Sequence, residues 1–350
     1  MPTKPGQVSR RAALQFASGA MAAGAFGFPD PATATSLSSQ RLEIVGNELR
    51  VGGTSVRLRG VAVGDPLYVR YGRPIDDFRI IADEWKANCV RISLHPGNWK
   101  HEPENCLTGL TRDITAARAR GLWVILDWHS IGFPGATFEH PLPEWGMLMD
   151  SYESPPELAI DFWTAMAKRF GNDPGIIFEL WNEPFIDSMT NVSHGKDWPR
   201  LKELYLQLIA AIRPHSDAIL LASGARFAHD LHGVRNNLID DPRTAYAWHC
   251  YPNEDRNKPD RWHVSLDGLP KVKPVVVTEW GFCTECDGGL KGTPGNFATP
   301  FVKQVLDHYG LHDTAWCYSP GAAPQMLQQD GTPTVFGAFV KARLIAAGGN

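Results

Sequence analysis

Eight short runs rich in β-branched and aromatic residues recur along this chain, and helical periodicity separates each from the next. The runs cover residues 56–63, 89–94, 123–128, 176–181, 218–222, 244–249, 275–279 and 314–318. Strands alternating with helices give parallel βα units. Eight such units close into a (β/α)8 TIM barrel, which takes about 250 residues. Leu201, Leu204, Tyr205, Leu208, Ile209 and Ile212 keep the i, i+3, i+4, i+7 spacing of a helix with one apolar face, as do Leu158, Phe162, Ala165 and Met166. Pro155 and Pro156 stand where the second of these helices starts, and there a missing N–H does no harm. Gly121 and Gly171, each just ahead of a strand-like run, read as helix stops. Residues 42–51 read as an N-terminal hairpin turning at Gly46-Asn47 and closing the barrel bottom. No linker, repeat or low-complexity tract divides the rest, so residues 35–350 are expected to form a single domain.

The ends of these runs carry the chemistry. Phe178-Glu179-Leu180-Trp181-Asn182-Glu183-Pro184 and Val276-Val277-Thr278-Glu279-Trp280-Gly281 both bring an apolar run to a glutamate and then to a turn residue. The C-terminal end of a barrel strand is where this architecture places its reactive groups. Two carboxylates there are what cleavage of a glycosidic bond needs, one as acid then base and one as nucleophile. Other runs end in Arg91, in Asp127-Trp128-His129, in His249 with Tyr251, and in Trp316. One such residue would be read as a satisfied core polar group. Six of eight strand tips carrying one, on a single face, indicates a catalytic centre.

In this ordered set the chain resembles glycoside hydrolase family 5, the cellulase family of the clan A barrels. The family's eight functional positions are Arg, His, Asn, Glu, His, Tyr, Glu and Trp, which match Arg91, His129, Asn182, Glu183, His249, Tyr251, Glu279 and Trp316. The resemblance runs over residues 42–345. It implies a retaining hydrolase that cleaves internal β-1,4-glucosidic bonds of cellulose or related β-glucans. Glu183 would be the acid/base and Glu279 the nucleophile. Arg91 and Tyr251 would hold Glu279, Asn182 would bond the sugar 2-hydroxyl, His249 would assist Glu183, and His129 and Trp316 would shape the subsite at the reacting sugar. No cofactor and no metal is expected, because two carboxylates and water suffice. Glu179 is expected to face the helices or to form a barrel salt bridge, Asp127 to be a buried supporting carboxylate, and His95 to be either a subsite residue or an ordinary polar one. Long loops at 130–154 and 185–198 offer Trp145, Tyr152 and Trp198, together with Trp280, as walls of an open groove.

Composition narrows the partners. Formal net charge is -4 and no basic patch with interleaved aromatics occurs, so nucleic acid is not expected. Twelve tryptophans would divide about equally between core and sugar-stacking positions. Ser9-Arg10-Arg11 precedes a small-residue stretch and an Ala32-Thr33-Ala34 site, which reads as a twin-arginine-type signal peptide over residues 1–34. The product would be a secreted or periplasmic monomer with no membrane segment after processing. Of the six cysteines, Cys250 and Cys317 read as buried small hydrophobes, and Cys283-Thr284-Glu285-Cys286 as a loop disulfide or two free thiols. Alternatives are a β-mannanase or other β-glycanase on the same barrel, a non-catalytic carbohydrate-binding barrel, which the presence of both glutamates opposes, and a metal- or thiol-dependent hydrolase, which lacks a helix-borne ligand pair.

Overall fold

A computed structural model describes residues 39–67, 73–74, 76–134, 150–185, 197–252 and 259–348. The strands are β1 (Glu43–Val45), β2 (Glu48–Val51), β3 (Thr54–Val56), β4 (Arg59–Ala62), β5 (Cys89–Leu94), β6 (Trp123–Trp128), β7 (Ile176–Glu179), β8 (Ile219–Ser223), β9 (Thr244–Cys250), β10 (Val275–Trp280) and β11 (His312–Ala315). Strands β4 to β11 pair in sequence order and close, β11 against β4, into a barrel of eight strands. Every pairing within it is parallel. The (β/α)8 architecture expected from the alternating runs is therefore present. The last strand lies earlier than expected, ending at Ala315, so Trp316 sits just beyond the strand tip.

The expected hairpin gains a third strand. β1, β2 and β3 form an antiparallel sheet, and Leu42, Leu49 and Val51 from this region seal the barrel floor. Their apolar partners are the inward side chains of the lower barrel: Cys89, Trp123, Ile125, Ile177, Ile219, Leu221, Ala245, Ala247 and Val276. The alternate residues of the same strands, such as Val90, Val124, Phe178, Tyr246 and Val277, face the helices instead. Side-chain alternation along each strand produces this division between two cores. The lower barrel is thus filled mainly by apolar side chains, with His312 near its floor accepting from Leu58 N–H, and the charged groups enter above it.

The helix Trp198–Ile212 buries Leu201, Leu204, Tyr205, Leu208, Ile209 and Ile212, the full expected stripe. In the helix Pro156–Phe170 the stripe is rotated. Ala159, Phe162, Trp163, Met166, Ala167 and Phe170 are buried, whereas Leu158 and Ala165 lie on its flank. The bulky Trp163 sets this orientation, because its Nε1–H donates to Leu180 O and its ring meets Phe162 edge-on. Pro155 is the N-cap and Pro156 the first helical residue. Gly121 adopts φ 72°, as a helix stop requires. Gly171 does not: its φ is −62°, and it is needed because a Cβ would come within 2.2 Å of Ala167 O.

The equal division of tryptophans does not hold. Ten of the twelve are buried, at Trp85, Trp99, Trp123, Trp128, Trp163, Trp181, Trp198, Trp248, Trp262 and Trp280. A ring of helices packed on a barrel leaves wide gaps that large flat side chains fill. Cys283 and Cys286 are joined in a disulfide, and Cys89, Cys106, Cys250 and Cys317 are free and buried. Among the described residues, no helix is long and apolar enough to cross a membrane. The signal-like segment 1–34 lies outside the described residues.

Candidate active site

The upper barrel begins where alternation changes the inward residue from apolar to polar. On β5 the inward series runs Cys89, Arg91, Ser93, and on β6 Trp123, Ile125, Asp127. On β10 the same alternation would fail. Val276 faces the barrel interior and Val277 the helices, so strict alternation would turn Thr278 inward and Glu279 outward. The β9–β10 register slips there: Val277 pairs with Trp248, but Glu279 pairs with His249, which leaves Thr278 as an extra residue. A bulge of this kind re-aims the side chain that follows. Thr278 and Glu279 both reach the interior, and Trp280 returns to the helix layer against Phe301 and Phe336.

Arg91 is fully buried and ties the upper barrel together. Its Nε donates to Glu179 Oε2 at 2.6 Å, Nη1 to Glu279 Oε1 at 2.7 Å, and Nη2 to Asn182 Oδ1 at 2.8 Å, with Asp127 Oδ2 also 2.9 Å from Nη2. Burial opposes the guanidinium charge, but the three carboxylates outweigh that and hold its pKa well above the ordinary value. Glu179 therefore forms the barrel salt bridge, not a helix-layer contact, and Asp127 is the supporting carboxylate. Burial likewise works against the charge on Glu179, yet Arg91 and His249 bring its pKa below the usual value. Burial, with Glu179 and Glu279 adding to it, raises the Asp127 pKa, and the Arg91 charge works against that rise.

Glu279 is held on both oxygens, by Arg91 on one and by the Tyr251 hydroxyl at 2.7 Å on the other. Glu183 enters from the extended segment beyond β7, fixed by Glu183 N donating to Ser130 O and Gly132 N donating to Glu183 O. Its Oε1 lies 3.0 Å from His249 Nδ1. One oxygen of each glutamate and an imidazole nitrogen of His249 lie within 4.8 Å of one another. Glu183 has its pKa raised by burial and, less, by Glu279, while His249 opposes the shift. His249 itself would lose its proton through burial, but Glu279 and the contacts with Glu179 and Glu183 push it up to about 10. The two catalytic candidates thus differ in partners: Glu279 takes Arg91 and the Tyr251 hydroxyl with His249 Nδ1 3.6 Å away, whereas Glu183 has His249 Nδ1 at 3.0 Å. Among the described residues, Glu183, His249 and Glu279 are the cluster with donors close enough to share a metal ion, but Arg91, Tyr251 and the imidazolium already engage those donors.

His129 lies at the rim with Nδ1 2.7 Å from Asp127 Oδ2 and its ring stacked on half-buried Trp316 at 5.1 Å. Burial, reinforced by His95, Arg91 and His249, holds it well below its ordinary pKa, so the ring is neutral. With Nδ1–H donated to Asp127, Nε2 is left as an acceptor. His95 belongs to the rim as well, anchored through Nδ1 and its backbone N–H by Asp65 Oδ2 and packed edge-on to His129 at 4.7 Å. Tyr152 closes this wall, 5.1 Å from His95. Trp198 and Trp280 do not line the groove: each is buried in the helix layer, with Nε1 donating to Asn237 O and Asp313 Oδ2 respectively. Trp145 lies outside the described residues. All eight residues picked from the strand ends are brought to one end of the barrel. Sequence reasoning passed over Thr278, whose signal was a lone hydroxyl residue between a valine run and the glutamate, and Asp65.

The model of the family "Cellulase (glycosyl hydrolase family 5)" matches residues 49–322. The chain belongs to glycosyl hydrolase family 5. Its relatives in the family include endoglucanase MaCel5A of a Microbulbifer species, 26% identical over 297 residues that span 80% of this chain and 51% of the relative. Endoglucanase E-5 of Thermobifida fusca is 24% identical over 337 residues, 91% of this chain and 66% of the relative. The chain thus spans half to two thirds of the length of these proteins. Among solved structures, native β-glucanase SdGluc5_26A of Saccharophagus degradans superposes with a TM-score of 0.78 at 28% identity, covering 90% of this chain and 96% of that one. The same β-glucanase, solved in complex with cellotetraose, gives a TM-score of 0.77.

The raised pKa of His249 makes the site's stability depend on pH. Its value rises from 6.5 to about 10 on folding, so its stabilising contribution is complete below pH 6.5 and is lost as pH climbs through about 10. Denaturant titrations of the wild type and His249→Gln should show a constant stability gap below pH 6.5 that narrows steadily toward pH 10. A gap independent of pH across that window would contradict a charged His249.

Proposed function

We propose that this chain is a retaining endo-β-1,4-glucanase. Glu183 is the acid/base and Glu279 the nucleophile. The observation that carries the reading is the pair of glutamates, with one oxygen of each within 4.8 Å of a shared imidazole nitrogen and with different partners, Arg91 and Tyr251 on Glu279 and His249 on Glu183. A retaining mechanism needs carboxyl groups about 5–5.5 Å apart, against about 6.5–9.5 Å when water must fit between them. Glu279, fixed by Arg91 and Tyr251, attacks the anomeric carbon. Glu183 gives its proton to the leaving oxygen and then takes one from the incoming water, for which a raised pKa suits it. Asn182, oriented by Arg91, donates to the sugar 2-hydroxyl, and neutral His129 accepts from a second hydroxyl while Trp316 supports the ring face.

A β-glucan is the substrate we favour, since the relatives are named endoglucanases and the superposing β-glucanase holds cellotetraose. The same eight residues would serve a β-mannanase, because they address the reacting ring and not its neighbours. Hydrolysis of carboxymethyl-cellulose, mixed-linkage β-glucan, glucomannan and β-1,3-glucan separates these readings. The expected outcome is a rapid fall in viscosity on the β-1,4-glucans with the β-anomer formed first by NMR. Initial release of the α-anomer, or only monosaccharide from chain ends, would contradict it.

Glu183→Ala and Glu279→Ala should each lower kcat by roughly 10³-fold or more on polysaccharide, with folding retained. Azide should restore turnover of an activated aryl glycoside in both, giving the α-glycosyl azide with Glu279→Ala and the β-glycosyl azide with Glu183→Ala. Near-wild-type activity of either variant would refute its assigned role.

Export through a twin-arginine route is proposed from Arg10-Arg11 and the Ala32-Thr33-Ala34 site. Changing Arg10 and Arg11 together to lysine should leave active enzyme in the cytoplasm, as cell fractionation would report. Undiminished export of that variant would point to the general secretory route.

A further inference from the structure

The imidazole that bonds Glu183 is itself held from behind by two residues outside the eight family positions. His249 Nε2 lies 3.1 Å from Thr278 Oγ1. The Thr278 hydroxyl donates to Glu179 Oε1 at 2.7 Å, and Glu179 Oε2 accepts from Arg91 Nε at 2.6 Å. A hydroxyl has one proton to give. Because Thr278 gives it to Glu179, it can only accept from His249, and Nε2 must carry a hydrogen. Thr278 points inward by ordinary alternation after Val276, and the β10 bulge at this point turns Glu279 inward beside it. The whole chain of groups is buried, with Thr278 and Glu179 fully inaccessible.

We propose that Thr278, aligned by Glu179, is a positioning residue that fixes His249 in its Nε2-protonated form and so governs how readily Glu183 gives up its proton. The inference rests on the assignment of Glu183 as acid/base. The charged and titratable groups facing His249 are Glu183 at 3.0 Å and Glu279 at 3.6 Å on the Nδ1 side, and Glu179 at 3.8 Å on the Nε2 side. Arg91 stands behind Glu179 and Glu279, Tyr251 caps Glu279, and His129 faces across the mouth. With Nε2–H secured, Nδ1 is the only ring atom that exchanges a proton with Glu183. The imidazolium then stabilises the Glu183 carboxylate left after the leaving group is protonated. Without the Thr278 hydroxyl, the buried Nε2–H faces only Glu179 Oε1, 3.8 Å away and beyond hydrogen-bond length. The cation is disfavoured, and the ring reverts to a neutral form that supports the carboxylate less.

The test compares Thr278→Val, which keeps the shape and removes the hydroxyl, with Thr278→Ser, which keeps the hydroxyl. Aryl β-cellobiosides with a poor and with a dinitrophenyl leaving group serve as substrates. In Thr278→Val the basic limb of kcat/KM should move up by about 0.5–1 pH unit, because Glu183 holds its proton longer. The poor leaving group should lose roughly 10-fold in rate and the dinitrophenyl substrate distinctly less, since only the former needs a strong acid. Thr278→Ser should restore the wild-type limb. A Thr278→Val profile superimposed on the wild type, an equal loss on both leaving groups, or a Thr278→Ser variant as impaired as Thr278→Val would overturn the proposal. Nitrogen-15 NMR of histidine-labelled wild type needs no variant: Nε2 of His249 should be protonated at neutral pH, and an unprotonated Nε2 would also overturn it. Glu183→Ala measured alongside separates the two readings. If it retains acid catalysis on the poor leaving group, the acid/base assignment fails; if it loses that catalysis while Thr278→Val does not, only the role of Thr278 fails.

Discussion

A single buried guanidinium governs this active site. Arg91 has no solvent to fall back on, and an unpaired buried cation would cost several kcal/mol. It is compensated by Glu179, Asp127 and Glu279 from three other strands, and it also orients Asn182. The dependence runs both ways, since those carboxylates would be unsupportable in the same dry interior without the cation. The consequence is geometric. Strands β5, β6, β7 and β10 are locked to one another at the level of the proposed catalytic groups, and a shift in any one strand moves charge out of register. Rigidity of this kind keeps reacting groups in productive positions without reorganisation during turnover.

The second constraint is the bulge in β10. Strict alternation brings a residue inward at every second position, which suits Arg91, Asp127 and Glu179 but would send Glu279 into the helix layer among Phe301 and Phe336. One inserted residue corrects this and delivers two adjacent inward side chains. Glu279, the proposed nucleophile, therefore comes to lie inward directly beside the Thr278 hydroxyl, which alternation alone already points inward. The lower barrel supplies the setting: an apolar plug closed by Leu42, Leu49 and Val51, above which charges interact across little water.

Much of this was legible in the sequence, for physical reasons. Parallel strands buried on both faces produce unbroken apolar runs, so a glutamate or arginine within one is conspicuous and its location at a strand tip can be counted. Arg91, Glu183, His249 and Glu279 were found that way. Tryptophan carried no comparable signal, because a ring suited to a sugar face is equally suited to a gap between barrel and helix. Trp198 and Trp280 were misplaced for that reason, while Trp316 was recognised by its place in an ordered set. The bulge was invisible, since its mark is a register between two strands and not a residue type. Thr278 escaped notice with it. The hairpin's third strand escaped because β3, at Thr54–Val56, is short and partly exposed.

The cysteines give the fold a built-in order of oxidation. Burial puts all four unpaired thiols out of reach of ionisation at neutral pH, with Cys106 and Cys317 pushed up to about 12 and Cys89 and Cys250 higher still. A thiol that cannot form its anion cannot attack a disulfide or be oxidised at an appreciable rate. Cys283 and Cys286, three residues apart on a surface loop, remain the pair open to an oxidant once the barrel has closed. The closed barrel thus acts as its own protecting group. A chain that folds before meeting an oxidising environment has a single disulfide available to it, and the scrambled pairings open to an unfolded chain with six thiols never arise.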